Sequence, residues 1–200
     1  MKKHGINDIN WTLFSWKSSL EKLNLKADIC FFGDSITRGG DFQNCFPNKV
    51  VCNLGISGDN LSGMLERVDM IRFVSPEEIY LMAGINDLLA GNTSKVCIDK
   101  YHDLIKAICS QNPQARLFVQ SVLPINNEKC KKNMSAQLIR DFNKSLEKIC
   151  KEESVEYIDV FSLYEKDGKL PEEYTVDGLH LYPQAYSIWM NKLQSYIKKG

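Results

Sequence analysis

Five short apolar runs constrain this 200-residue chain more than any other feature. They are Ile29 to Phe32, Val50 to Leu54, Ile79 to Met82, Leu117 to Val122, and Val155 to Val160. They are mostly β-branched or aromatic, and nearly continuous rather than alternating. A strand with one wet face alternates; a strand covered on both faces does not. The segments between the runs carry helical stripes: Leu61, Met64, Leu65, Val68 and Ile71; then Tyr101, Leu104, Ile105 and Ile108; then Met134, Leu138, Phe142, Leu146 and Ile149. Pro183 marks the first turn of a last helix that continues through Ala185, Trp189, Leu193 and Tyr196. Leu13, Trp16, Leu20 and Leu23 predict an opening helix. Strands alternating with helices predict one three-layer α/β/α domain over residues 1–200, with an N-terminal helical segment over 1–25 packing on it. For five parallel strands the commonest doubly wound order is 2-1-3-4-5.

That order places strand 1 between strands 2 and 3, so the loops leaving these strands share one crevice. All three are rich in glycine and small polar residues. They read Gly33-Asp34-Ser35-Ile36-Thr37, Gly55-Ile56-Ser57-Gly58-Asp59-Asn60 and Gly84-Ile85-Asn86-Asp87. Pro124 to Asn133 forms a further, clearly polar loop.

Ser35, just past strand 1, is the candidate nucleophile. A serine hydroxyl needs a base within hydrogen-bond reach. Of the three histidines, His4 lies near the terminus and His102 falls on a helix surface, which leaves His180. Asp177 precedes it by three residues and can hold the ring in the right tautomer. A developing oxyanion needs donors, and the candidates are the backbone N–H of Ser35, that of Gly58 and the side-chain amide of Asn86. Asp34, Asp59 and Asp87 adjoin these positions and are expected to brace the loops. Arg38, Lys129, Lys131 and Lys132 read as solvated charges. The three lysines nonetheless lie at the end of the sheet where an anionic substrate group would meet them.

Gly33-Asp34-Ser35-Ile36, Asn53-Leu54-Gly55-Ile56-Ser57-Gly58, Gly84-Ile85-Asn86-Asp87 and Asp177-Gly178-Leu179-His180 resemble, in order, the four sequence blocks of the SGNH, or GDSL-type, hydrolase superfamily. Ile36 replaces the leucine of the name. The resemblance implies a flavodoxin-like sheet and ester hydrolysis without metal or cofactor. It casts Ser35 as nucleophile, Gly58 and Asn86 as oxyanion donors, and His180 as base with Asp177 behind it. Short acyl esters, including O-acetylated carbohydrate, are the expected substrates. Lysophospholipase, thioesterase or acyltransferase chemistry could use the same triad. A rival of another class is a flavodoxin-like FMN-binding electron-transfer module, which leaves Asp177 and His180 without a role.

Acidic and basic residues balance at 25 each, which argues against a nucleic-acid partner. The apolar runs are too short to span a membrane. The basic start, Met1-Lys2-Lys3, has no apolar segment behind it and does not read as a signal peptide. Seven cysteines without a Cys-x-x-Cys pair suggest a reducing, cytoplasmic setting, with Cys30, Cys52, Cys109 and Cys150 as buried free thiols. Oligomeric state is open.

Overall fold

Parallel strands β1 (Ile29–Gly33), β2 (Val51–Gly55), β3 (Glu78–Met82), β4 (Arg116–Gln120) and β5 (Glu156–Ile158) form one sheet in the order β2-β1-β3-β4-β5. The structure is a computed structural model and describes residues 17–22 and 25–197. Residues 17–22 are helical, while Leu13, Trp16, Leu23 and His4 lie outside the described residues. The α-helices are α1 (Ser35–Arg38), α2 (Phe42–Cys45), α3 (Leu61–Glu66), α4 (Ile85–Leu89), α5 (Ser94–Gln111), α6 (Asn127–Cys130), α7 (Ala136–Glu152) and α8 (Tyr186–Leu193).

Helices cover both faces, which is why the strands carry continuous apolar runs. On one face α3, α5 and α7 pack side by side. On the other, an aromatic ladder of Phe31, Tyr80 and Phe118 crosses β1, β3 and β4 with ring centroids 5.2 and 4.7 Å apart. Phe42 of α2 stacks on Phe31, and Trp189 of α8 meets Phe42 edge-on. The edge-on contact of Trp189 with Phe42, at 5.7 Å between ring centroids, is one of the favoured aromatic geometries.

Several boundaries differ from the sequence expectation, each for a physical reason. The stripe from Leu61 to Ile71 is broken into α3 and a 3₁₀ helix, Val68–Val74. The break falls at Arg67, whose side chain turns inward instead of continuing along the helix surface. β4 stops at Gln120, because Asn143 of α7 pairs with both backbone groups of Val122 at 2.9 Å. β5 ends early because the N–H groups of Val160 and Phe161 donate to Ser121 Oγ. Met134 precedes α7 and Leu138 is exposed; the buried stripe is Ile139, Phe142, Leu146 and Ile149. The 124–133 segment is not simply polar: Pro124, Ile125 and Asn126 are buried, and α6 lies within it. Cys30 and Cys150 are buried, but Cys52 on edge strand β2 is half-buried and Cys109 on the outer side of α5 is exposed. No helix among the described residues is long and apolar enough to cross a membrane.

Candidate active site

The C-terminal ends of β1, β2 and β3 bring the three small-residue loops together. Ile56 N–H donates to Gly33 O across the first two. Asp34 caps α1, with Oδ1 accepting Ile36 N–H at 2.9 Å, the usual work of an N-cap carboxylate. Tyr186 of α8 donates its hydroxyl proton to Ile36 O at 2.7 Å and pins the same short helix from outside. Ser35 is thereby fixed at the first position of α1, half-buried at the mouth of the crevice.

The distant segment reaches it. His180 Nε2 lies 2.8 Å from Ser35 Oγ, and His180 Nδ1 lies 2.7 Å from Asp177 Oδ2. Asp177 Oδ1 accepts the backbone N–H groups of Leu179 and His180. Burial of the Asp177 carboxyl works against its charge, but the hydrogen bonds from His180 backbone and ring and from Leu179 prevail and hold it below the usual carboxylate range. Thr175 closes the loop: its hydroxyl donates to His180 O and accepts Gly178 N–H. Gly178 has φ +90, and a Cβ there would lie 2.5 Å from Asn126 O, so only glycine fits. Asn126 N–H in turn donates to Gly178 O at 2.8 Å.

Gly58 has φ +75 and nothing within 4 Å of an added Cβ, so its backbone faces open space. Asn86 lies in the first turn of α4, and its amide donates to Asp59 O at 2.7 Å. The three neighbouring aspartates all hold backbone. Asp59 Oδ1 accepts Asn60 N–H and Asp87 Oδ2 accepts Leu61 N–H. Asp34 Oδ2, by contrast, has no partner among the described residues. Burial pushes the Asp34 carboxyl up to about 7, against the Ile36 N–H bond and with help from the Asp59 charge. Burial also raises Asp87, against its bond from Leu61 and the charge of Lys100.

The sequence reading passed over Arg67, which is buried and bonded to Asp59, Leu54 O and Gly33 O. Its signal was present: a cation on the apolar stripe between Met64 and Ile71. Asn126, buried and donating to Leu170 O, was missed because its partners are distant in sequence. Arg38 is exposed and donates to Ser57 Oγ at 2.9 Å, on the rim beside Gly58. Lys129 reaches Thr175 O, and Lys131 and Lys132 are exposed. His102 is half-buried against Glu153, away from the crevice. Among the described residues no group of three or more His, Cys, Asp or Glu side chains is arranged to hold a metal ion.

This geometry has relatives. A solved Streptococcus pneumonia protein, provisionally named a platelet activating factor, superposes with TM-score 0.85 at 26% identity, covering 94% of this chain and 95% of that one. The GDSL esterase/lipase CPRD49 of Arabidopsis thaliana is 25% identical over 88% of this chain and 80% of its own length. N-acylneuraminate cytidylyltransferase of Streptococcus agalactiae is 22% identical over 87% of this chain, which spans only 40% of that enzyme's length. The GDSL-like lipase/acylhydrolase family model matches residues 31–188, a stretch that begins inside β1 and ends in α8 with the whole crevice between them. The chain belongs to the GDSL-like lipase/acylhydrolase family.

Proposed function

We propose that this protein is a serine esterase that removes acetyl or other short acyl groups from small esters, O-acetylated carbohydrate among them. The observation that carries the reading is the unbroken chain from Ser35 Oγ through the His180 ring to Asp177, at 2.8 and 2.7 Å. Asp177 keeps the proton on Nδ1 and leaves the Nε2 lone pair for Ser35. Ser35 Oγ attacks the ester carbonyl and its proton passes to Nε2. The carbonyl oxygen becomes an oxyanion, met by the N–H groups of Ser35 and Gly58 and the amide of Asn86. Collapse of the tetrahedral intermediate expels the alcohol, which takes the proton from Nε2. Water, deprotonated by the same nitrogen, then releases the acid and restores Ser35.

The open triad supports a polar leaving group. The side chains of His180 and Asp177 are 39% and 51% exposed, so the base faces water rather than an enclosed apolar tunnel.

The test is a series of p-nitrophenyl esters from acetate to decanoate, followed by acetate release from O-acetylated glycans. Wild type is expected to prefer acetate and butyrate. A clear preference for octanoate or longer overturns the short-acyl reading. Ser35→Ala is expected to lose several orders of magnitude in kcat with the fold intact; near-normal turnover in that variant overturns the triad.

A further inference from the structure

Arg67 is a cation buried where a leucine would pack, its side chain 1% exposed. Each nitrogen of its guanidinium has its own acceptor. Nε donates to Asp59 Oδ2 at 2.6 Å, Nη1 to Leu54 O at 2.8 Å and Nη2 to Gly33 O at 2.9 Å. The group also lies 4.2 Å from the centre of the Phe32 ring. Phe32 and Leu54 are register partners, as are Gly33 and Gly55, so the fork grips the C-terminal ends of β1 and β2 together.

Those contacts lead to all three oxyanion donors. Ser35 stands two residues beyond Gly33. Gly58 is the residue before Asp59. Asn86 donates its amide to the carbonyl of Asp59, the residue whose carboxylate Arg67 holds. Each donor is tied to the guanidinium by a short covalent or hydrogen-bonded path.

A core that needed only volume here would be served as well by an apolar side chain, because burying an ion pair costs desolvation that its Coulomb attraction barely offsets. Burial indeed pulls the Arg67 guanidinium down from its usual range, against the charge of Asp59. What arginine adds is a rigid planar fork with donors at fixed angles, which no apolar residue supplies and lysine lacks. Oxyanion donors are effective only when preorganised to within a fraction of an ångström.

We infer that Arg67 is a positioning residue for catalysis: through Gly33, Asp59 and Asn86 it sets the mutual placement of the donors of Ser35, Gly58 and Asn86. Arg67 touches no substrate; it acts through its bonds to Gly33 and Asp59. The inference rests on the esterase reading above.

The test is a mutant cycle on p-nitrophenyl acetate with active sites counted by a fluorophosphonate. Arg67→Lys keeps the charge and loses the fork. It is expected to lower kcat per active site by about 10- to 100-fold, with KM changed less than about threefold. Asp59→Asn keeps shape and loses the carboxylate, and serves if Arg67→Lys does not fold; the same split is expected. Either change combined with Asn86→Ala should cost much less than the product of the single losses, because all act through one set of donors. Near-wild-type kcat in the folded variants, or losses that multiply with Asn86→Ala, reduces Arg67 to a packing role and overturns the inference. A wild type that neither hydrolyses esters nor is labelled at Ser35 removes the esterase reading itself and this inference with it. That outcome is distinct from an active enzyme indifferent to Arg67.

Discussion

Asn86 spends one amide proton on the backbone carbonyl of Asp59, 2.7 Å away. The bond joins the loop after β3 to the loop after β2 and fixes the amide plane. The second amide proton has no protein acceptor among the described residues, and in the proposed reaction it meets the oxyanion. Asn86→Ala should therefore lower kcat by about 10² to 10³ with little change in KM. Steady-state kinetics on p-nitrophenyl acetate decide the matter, and a loss confined to KM would make Asn86 a substrate-binding residue instead.

Asp177→Asn is the sharpest probe of tautomer control. The Asp177 carboxyl, held below the usual range by the His180 and Leu179 hydrogen bonds despite partial burial, stays ionised wherever His180 can act as a base. An amide in its place presents an N–H to Nδ1, which moves the ring proton to Nε2 and removes the base. The expected loss in kcat is up to about 10⁴. Raising the pH should not restore activity, since the fault lies in the tautomer and not in the charge. A variant within a few-fold of wild type would show that His180 works without its carboxylate. The same depressed carboxyl contributes stability above its unfolded pKa and loses it as pH falls through the folded one. Half exposure keeps that contribution small.

Much of this was legible from the chain because sheets covered on both faces write their strands as uninterrupted apolar runs. The runs gave five parallel strands, the commonest order for such a sheet is the one observed, and the loops at the C-terminal ends marked the crevice. What escaped the reading is what distant partners decide. Asn143 truncates β4 by pairing with Val122 from 21 residues away, and Ser121 Oγ truncates β5 from 39 and 40. Neither leaves a local pattern. Arg67 lies on the apolar stripe between Met64 and Ile71, and its bonds go to Asp59, Leu54 and Gly33, the last 34 residues away, so nothing local marks its role. Asn126 sat in a segment that composition marked as polar surface, yet it is buried and holds Gly178 in place.

Gly178→Ala tests that last contact. An added Cβ would lie 2.5 Å from Asn126 O and 2.6 Å from Cys130 N, at a backbone φ of +90. The clash is with backbone and cannot be relieved by turning a side chain. Either the 175–181 loop or the Asn126 segment must shift, and the first of these carries Asp177 and His180. A destabilisation of about 1–3 kcal/mol is expected, with a fall in kcat as Nε2 leaves hydrogen-bond reach of Ser35. Thermal melts and kinetics below the transition check both. Unchanged Tm together with unchanged kcat would show that the loop accommodates a side chain freely.

Asp34 makes a prediction about pH whose sign runs opposite to that of a salt-bridged carboxylate. Its carboxyl is 1% exposed, its Oδ2 has no partner among the described residues, and burial pushes it up to about 7 from 3.8. Between these values the folded protein holds a proton that the unfolded chain has released. Stability therefore falls as pH rises through that window and levels off above it. Asp34→Asn keeps an oxygen to accept Ile36 N–H and removes the titration. Whatever fixed cost the amide carries, the variant should gain on wild type as pH climbs from about 4 to about 7, by on the order of 4 kcal/mol at most. Urea melts of the two proteins across that range measure the difference directly. A gap that does not change with pH would mean that Asp34 titrates as an ordinary carboxylate. A variant that instead loses ground to wild type as pH rises would mean that the buried charge finds a partner when it forms. The expected slope implies that the residue beside the nucleophile is kept at a cost to stability near neutrality, as strained or desolvated groups at functional sites often are.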